Sequence, residues 1–514
     1  MKKQKLIPMH PKTQQILEVF EEINKIPRRS KHEEQISTWL QEWGKSRGFE
    51  VKADSLNNVL IKAPATAGYE NSPTLILQGH MDMVCEKCKG SGHDFSRDPV
   101  RCICDGDWMR GDGTSIGADD GIALALGLVL AEAGKKGEIR HPPLELLFTV
   151  DEETGLTGAR GLEAGFFEGK ILLNLDSEKE GVFVIGCAGG QNSLITLSVE
   201  WEELDIEKED LFKFFRLSVE GLEGGHSGVE ISRQRANGIQ LLSLVLAGLR
   251  EKLGAENLRL VLLNGGSVHN AIPSTAEAFI AIHREKLNKV EKAVAGLRHV
   301  FKAEYENTDP GLILNLEEIS REIIFEVAEE KIPIEEVSCV RVFSPGTEEK
   351  LIKLILGLPH GVYRMSDTIQ GLVETSNNLA TVRTTENEVV IVSSQRSSNN
   401  PRLAEISGKV EAVAKLAGAW IGHEPGYPAW EPELKSELLL KCKKVYTETF
   451  GEKPEIRVIH AGLECGIIGS VYEDMEMISF GPTIKDAHCP SERIFIPSIE
   501  KIWIFLENLL KTYC

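Results

Sequence analysis

Thr74-Leu75-Ile76-Leu77-Gln78-Gly79-His80-Met81-Asp82 runs an apolar, strand-forming segment straight into an imidazole and a carboxylate. The same device recurs along the chain. Residues 144–150 lead into Asp151-Glu152-Glu153, and the apolar run 171–175 ends at Asp176. A glycine-rich turn, 111–117, delivers Asp119 and Asp120 to the head of an apolar helix, and His488 follows near the C-terminus. Strands of a parallel sheet present the residues at their carboxyl ends to a common crevice. The recurrence therefore predicts an α/β domain with a mostly parallel sheet. Borderline cations such as zinc select imidazole and carboxylate ligands, and a pair of them activates water at neutral pH. The ordered set reads as a two-metal hydrolytic site.

Working outward, amphipathic helices are expected over 13–26 and 33–48, strands over 59–62 and 74–78, and a helix over 120–133. From about residue 194 to 430 the texture changes. Strand 214–220, helix 236–253, strands 258–263 and 276–283, helix 287–300 and strand 312–316 give a βαββαβ order, the ferredoxin-like arrangement. A weaker second copy follows, with helix 347–356, strands 372–378 and 389–394, and helix 401–417. The halves share no sequence identity, so duplication stays an open reading. The turn 426–432 restores α/β texture, with helix 434–450, segment 455–459 and helix 499–510. For His488 to join the early ligands, 1–190 and 430–514 must form one discontinuous catalytic domain. Residues 191–429 are then an inserted α+β domain, as a 514-residue chain too long for one core allows.

The net charge of −20 argues against a nucleic-acid partner and against anionic membrane surfaces. The basic start Met1–Lys5 leads into an amphipathic stretch rather than a signal-peptide core. The longest apolar run, 122–133, falls short of the roughly 20 residues that span a bilayer. A cytoplasmic enzyme with reduced cysteines is expected. Cys85 and Cys88 form Cys-x-x-Cys with Cys102 and Cys104 close behind. No second ligand pair of the usual spacing accompanies them, so a structural zinc or redox site there is the weaker reading.

Each position carries a structural alternative. His80 and Asp82, two apart on a strand, share a face, so Asp82 can accept the second ring N–H of a metal-binding His80. A lone His-x-Asp is more often a packed strand end. Asp119 can bridge two cations with its two oxygens, or it can cap the helix that follows, and Asp119 and Asp120 can divide those roles. Glu153 is assigned to the metal and Glu152 to general-base work, against a solvated acidic turn. Asp176 closes the second metal's shell and His488 the first. The combination, at successive strand ends, is what favours chemistry over packing.

Together these residues resemble the aminoacyl-histidine dipeptidases, also called cytosolic non-specific dipeptidases or peptidase D, within the co-catalytic zinc amidohydrolases. The resemblance covers nearly the whole chain. It rests on Gln78 through Val84, Gly113 through Asp120, Asp151-Glu152-Glu153-Thr154-Gly155, Asn174 through Glu178 and Gly224-Gly225-His226-Ser227-Gly228. Further matches are Arg235-Ala236-Asn237, Asn270-Ala271-Ile272-Pro273, His460 through Gly466, and His488 with Pro490 and Glu492. Segments 85–107 and 319–349 match nothing, and Cys489 stands where many relatives carry a small hydroxyl residue.

The resemblance implies two Zn2+ per chain, with Mn2+ or Co2+ as substitutes. Asp119 would bridge them, Glu153 and His488 would complete one site, and His80 and Asp176 the other. Asp82 would orient His80, Glu152 would take the proton, and Asp119-Asp120 would be a cis peptide. The middle domain would be the family's lid, from which His226 stabilises the oxyanion. Asn270 and Arg396 would bind substrate, Arg396 at the free carboxylate, and Glu464 would meet the free amino group. The substrate implied is a short unblocked peptide, including Xaa-His dipeptides, and a homodimer is left open. An N-acyl amino-acid deacylase or carboxypeptidase on the same scaffold is the nearest alternative. A non-catalytic protein with structural metals is the other, but it has no need of an unliganded Glu152.

Overall fold

The computed structural model describes residues 10–205, 211–320, 323 and 339–513. The basic start at 1–5 and most of the unmatched stretch 319–349 lie outside them. Two compact units divide the chain: 1–187 with 430–459 and 463–514, and 188–429 with 460–462. The first boundary falls at 187/188 rather than 190/191. Cys187 still pairs with Trp430 in the first unit, while Gly189–Ser198 is already a strand of the second.

The first unit holds an eight-stranded sheet in the order Glu50–Ala53, Val59–Ala63, Leu144–Thr149, Leu75–His80, Ile171–Asn174, Glu476–Ser479, Val182–Cys187, Glu455–Ile459. The sheet is mixed, with four of its seven pairings parallel, in keeping with the expected α/β domain. Leu144–Thr149, Leu75–His80, Ile171–Asn174 and Glu476–Ser479 run parallel, as do Val182–Cys187 and Glu455–Ile459. The first two strands are antiparallel because a short hairpin joins them. Asp54 accepts the amides of Leu56 and Asn58 there, an Asx turn that sets the reversal. The parallel centre is where His80, Glu152, Glu153 and Asp176 emerge.

Helix Ala118–Lys135 is apolar all round and buried along nearly its whole length, as that pattern requires. It packs against helix Pro11–Ile23 and strand Leu75–His80. Its approach to the strand demands glycine at 79, where a Cβ would stand 2.5 Å from Asp120 Oδ2 and 2.7 Å from Ala123 Cβ. A second sheet orders Ile484–Lys485, Arg493–Phe495, Trp108–Gly111 and Cys102–Asp105, so the arm bearing His488 is anchored on the strand Trp108–Gly111, just beyond the unmatched early segment. Cys85, Cys88, Cys102 and Cys104 are free thiols there and belong to no metal-holding group among the described residues.

The second unit is built on a nine-stranded sheet. Phe212–Glu220, helix Gly238–Leu253, Leu258–Gly265, Ala276–His283, helix Leu287–Glu304 and Ile313–Ile319 follow the βαββαβ order, with the strands lying fourth, first, third, second. The sheet then continues through Val373–Thr384, Glu388–Ser397, Gly189–Ser198 and Trp420–His423. With helices Pro345–Gly357 and Asn400–Leu416, these repeat the same order in mirror image, second, third, first, fourth. The strand that begins this second set precedes the first set in sequence. The two sets meet where Gly265 pairs with Val382. Helix starts follow local chemistry: Asn237, Ser344 and Asn399 cap with their side chains, and Pro345 and Pro401 occupy the first turn.

Candidate metal centre

In the first unit the side chains converge as two triads that share one carboxylate. Asp119 Oδ1 lies 3.1 Å from His80 Nε2, and Asp119 Oδ2 lies 3.2 Å from His488 Nε2. Asp176 Oδ1 stands 3.6 Å from His80 Nε2, and Glu153 Oε1 stands 3.1 Å from His488 Nε2. In His80/Asp119/Asp176 and in Asp119/Glu153/His488 the candidate ligand atoms all lie within 4.8 Å of one another. A third group, His80/Glu152/Glu153, meets the same limit, so spacing alone does not set Glu152 apart as a non-ligand. The Asp119-Asp120 peptide is cis, and Asp151 and His488 adopt left-handed φ values of 50° and 62°. Non-glycine residues are uncommon in that region and collect at functional sites.

Asp82 is wholly buried and accepts from three donors, with His80 Nδ1 close by. Its Oδ1 accepts the Glu152 amide at 3.0 Å and lies 3.3 Å from His80 Nδ1. Its Oδ2 accepts the Glu153 amide at 3.3 Å and the Ser30 hydroxyl at 2.8 Å. One carboxylate thus steadies the imidazole and the backbone of both glutamates.

Two residues that carried no role in the sequence reading frame the loop of Asp119. Glu492 accepts four consecutive amides: Oε2 from Ile116 and Gly117, each at 2.9 Å, and Oε1 from Ala118 at 2.8 Å and Asp119 at 3.3 Å. Arg28, 2% exposed, donates to the carbonyls of Gly117, Met81 and Asp82 and to Asn24 Oδ1. The amides at the start of helix Ala118–Lys135 therefore go to Glu492, and the Asp119 side chain makes no cap. No local signal marks either residue, because their partners lie far along the chain.

Charge balance fits this donor set to cations. Burial opposes a charged His80, yet contacts with Asp119, Asp176 and Asp82 raise its pKa well above the usual imidazole value. Asp119 and then Glu153 lift His488 to about 11. Burial would raise Asp119, but hydrogen bonds from His488 and His80 hold it below the ordinary carboxylate range. Burial, reinforced by neighbouring carboxylates, pushes Asp176 up to about 8 and Glu152 well above its usual value. Such shifts mark a cluster with excess negative charge that retains protons unless another cation replaces them. Glu153 Oε1 is moreover a buried oxygen without a hydrogen-bond donor. Two imidazoles and three carboxylates suit zinc or a similar borderline ion.

Glu464 lies inside the first unit, with Oε1 buried and without a hydrogen-bond partner. It is 0% exposed, with Oε2 accepting from Gln78 Nε2 at 2.6 Å and Thr149 Oγ1 at 2.7 Å. Gln78 shares a strand face with His80, so Glu464 braces the strand from within.

The second unit gathers its own polar cluster. His226 Nδ1 accepts the amides of Gly228 and Val229, each at 3.2 Å, which leaves Nε2 to carry the proton of the neutral ring. Burial, and then the charge of Arg396, hold its pKa below the usual value. Asn270 lies beside this loop, its carbonyl accepting the Ser227 amide at 2.8 Å. Arg396, 8% exposed, donates from Nη1 to the Tyr427 hydroxyl at 2.9 Å, and His460 Nε2 lies 2.7 Å from Ser376 Oγ, opposite Arg396 in the strand pair. Arg396 Nε, His460 Nδ1, Asn378 Oδ1 and Ser227 Oγ are buried without partners. Buried polar atoms are normally paired, so this concentration marks a place for a polar ligand. Tyr427 and His460 carried no role in the sequence reading.

A fold with carboxylates and imidazoles at parallel strand ends is that of a peptidase class built around metal-holding residues. The chain belongs to peptidase family M20/M25/M40, whose pattern matches residues 76–512. It is 37% identical over 499 residues to the cytosol non-specific dipeptidase of Escherichia coli K12, the match covering 97% of each chain. The crystal structure of aminoacylhistidine dipeptidase from Vibrio alginolyticus superposes with a TM-score of 0.85 at 37% identity, covering 99% of this chain and 98% of that one. An aminopeptidase from Bacillus cereus shares the fold at a TM-score of 0.54 and 16% identity, over 98% of each chain. Among the described residues no helix is long and apolar enough to cross a membrane.

Proposed function

We propose that this chain is a cytosolic dipeptidase dependent on two zinc ions and acting on short peptides with free termini, Xaa-His among them. The observation that carries the reading is Asp119, whose two oxygens divide between His80 and His488 at 3.1 and 3.2 Å, each imidazole with a further carboxylate beside it. His80, Asp119 and Asp176 hold one ion, and Asp119, Glu153 and His488 the other. Bound there, the pair supplies Lewis acidity toward the scissile carbonyl and lowers the pKa of water. Glu152, its backbone fixed by Asp82, takes the proton from the attacking water and returns it to the leaving amine. The Nε2–H of neutral His226 stabilises the oxyanion, a role strongest where water is excluded. Arg396, with Asn270 nearby, receives the substrate's carboxylate as a charge-assisted pair.

The test is to assay the zinc- or manganese-loaded protein on free and N-acetylated dipeptides beside Glu152→Gln. The expected result is turnover of free dipeptides, with the variant keeping its metal but losing about 10²- to 10⁴-fold in kcat, the range for general acid–base catalysis. Preferential cleavage of blocked substrates would make the chain a deacylase, and near-normal turnover in Glu152→Gln would remove the base.

A further inference from the structure

We propose that Glu492 is a positioning residue that sets the affinity of one of the two metal ions, the one held by Asp119, Glu153 and His488. The inference rests on the two-metal reading above and assigns within it a group that touches neither metal nor substrate.

An aspartate at the head of a helix ordinarily turns its side chain onto the free amides of the first turn. Asp119 makes no such cap, and Gly117 at the N-cap position has no side chain with which to make one. Glu492 instead holds the turn that leads into the helix, accepting four consecutive amides, those of residues 116 to 119, at 2.8 to 3.3 Å. On the backbone held in this way, Asp119 turns one oxygen to His80 and the other to His488. Glu492 also lies four residues beyond His488, on the arm that pairs with Trp108–Gly111. One carboxylate thereby ties the backbone bearing His488 to the backbone bearing Asp119, the two ligands that must converge on a single ion. Arg28 completes the frame from the other side. It donates to the carbonyl of Gly117, whose amide Glu492 accepts, and a Cβ at 117 would lie 2.3 Å from Arg28 Nη2. Asp119 is common to both ions, but His488 belongs to one alone, and His80 and Asp176 make no contact with Glu492, so the larger effect falls on the ion that takes both Asp119 and His488.

Glu492→Gln replaces one acceptor oxygen by an NH2 group, which then faces two backbone N–H donors. The metal-free protein is titrated with zinc against a chromophoric chelator, and its urea midpoint is recorded alongside. The wild type should bind two equivalents. In Glu492→Gln one equivalent should weaken by about 10- to 100-fold, the usual penalty for losing an outer-shell partner, with the other within about threefold. In a His488→Ala background, Glu492→Gln should bring no further loss of zinc affinity, which a merely structural role would not predict. If Glu492→Gln does not fold, Glu492→Asp, which keeps the charge but withdraws it by one methylene, should show the same single-equivalent loss. Variants with both equivalents unchanged, both equally weakened, or a loss that persists without His488 overturn the proposal. A wild type that binds fewer than two ions overturns the two-metal reading itself, a distinguishable result.

Discussion

Replacing Asp82 by asparagine tests whether one carboxylate supports both halves of the site. The native side chain accepts on both oxygens: Glu152 N–H on Oδ1, 3.3 Å from His80 Nδ1, and Glu153 N–H with the Ser30 hydroxyl on Oδ2. Asparagine offers one oxygen. If that oxygen stays toward His80, the NH2 group opposes the Glu153 amide, and Ser30 adapts by accepting. If it flips, the Glu152 amide and the His80 ring lose their acceptor. Either way at least one buried donor is stranded, which costs about 1–3 kcal/mol. Metal affinity should fall by about 10- to 100-fold, as for other partners that orient ligands. The assays are chelator competition on the metal-free protein and urea unfolding without metal. A folded Asp82→Asn protein with zinc affinity within about twofold of wild type would refute the argument that Asp82 organises the ligands.

Gly79→Ala should destabilise the first unit by about 1–3 kcal/mol, as overpacking does, because the new Cβ meets Asp120 and the helix residue Ala123; an unchanged urea midpoint would contradict that packing. Arg396→Lys keeps the charge but loses the planar fork, so KM for free dipeptides should rise by about 10-fold or more with a smaller change in kcat, and steady-state kinetics would decide. Acid sensitivity should come from His360, whose Nδ1 accepts from Asn237 Nδ2 at 3.2 Å and the Leu379 amide at 3.3 Å, and whose pKa burial pushes down to about 4. A depressed histidine gives stability that is present above its unfolded pKa of about 6.5 and lost as pH falls toward about 4. Urea midpoints for wild type and His360→Gln at pH 7 and pH 5 should therefore show a smaller pH drop in the variant.

The residues that gather about Asp119 were readable because each follows a local pattern. An apolar run stops, and His80, Glu153 or Asp176 appears at its end. The βαββαβ unit was equally legible from alternating apolar periods bounded by Asn237 and its counterparts. Long-range pairing was not legible. Nothing near Glu492 says that it will cap a helix starting at Ala118, and Arg28 reads as one more charge in a polar loop. The antiparallel pairings of Glu50–Ala53 and Val59–Ala63 were not legible for a related reason: periodicity reports that a strand is buried, not which neighbour it takes or in which direction. The repeat in the second unit was met from its middle, since its first strand, Gly189–Ser198, lies before the other copy. Glu464 was placed by its motif, and only its hydrogen bonds to Gln78 and Thr149 reveal that it is sealed inside.

The position of strand Glu476–Ser479 bears on how the chain comes off the ribosome. It lies between Ile171–Asn174 and Val182–Cys187, which are close in sequence but separated in the sheet by this one strand. Until about residue 480 has emerged, the growing sheet carries a slot one strand wide, edged by exposed backbone donors and acceptors. Such unpaired edges invite pairing with other chains. The strand that fills the slot belongs to the same late segment that carries His488, so the sheet is completed at about the stage of synthesis when His488 can join His80, Asp119, Glu153 and Asp176.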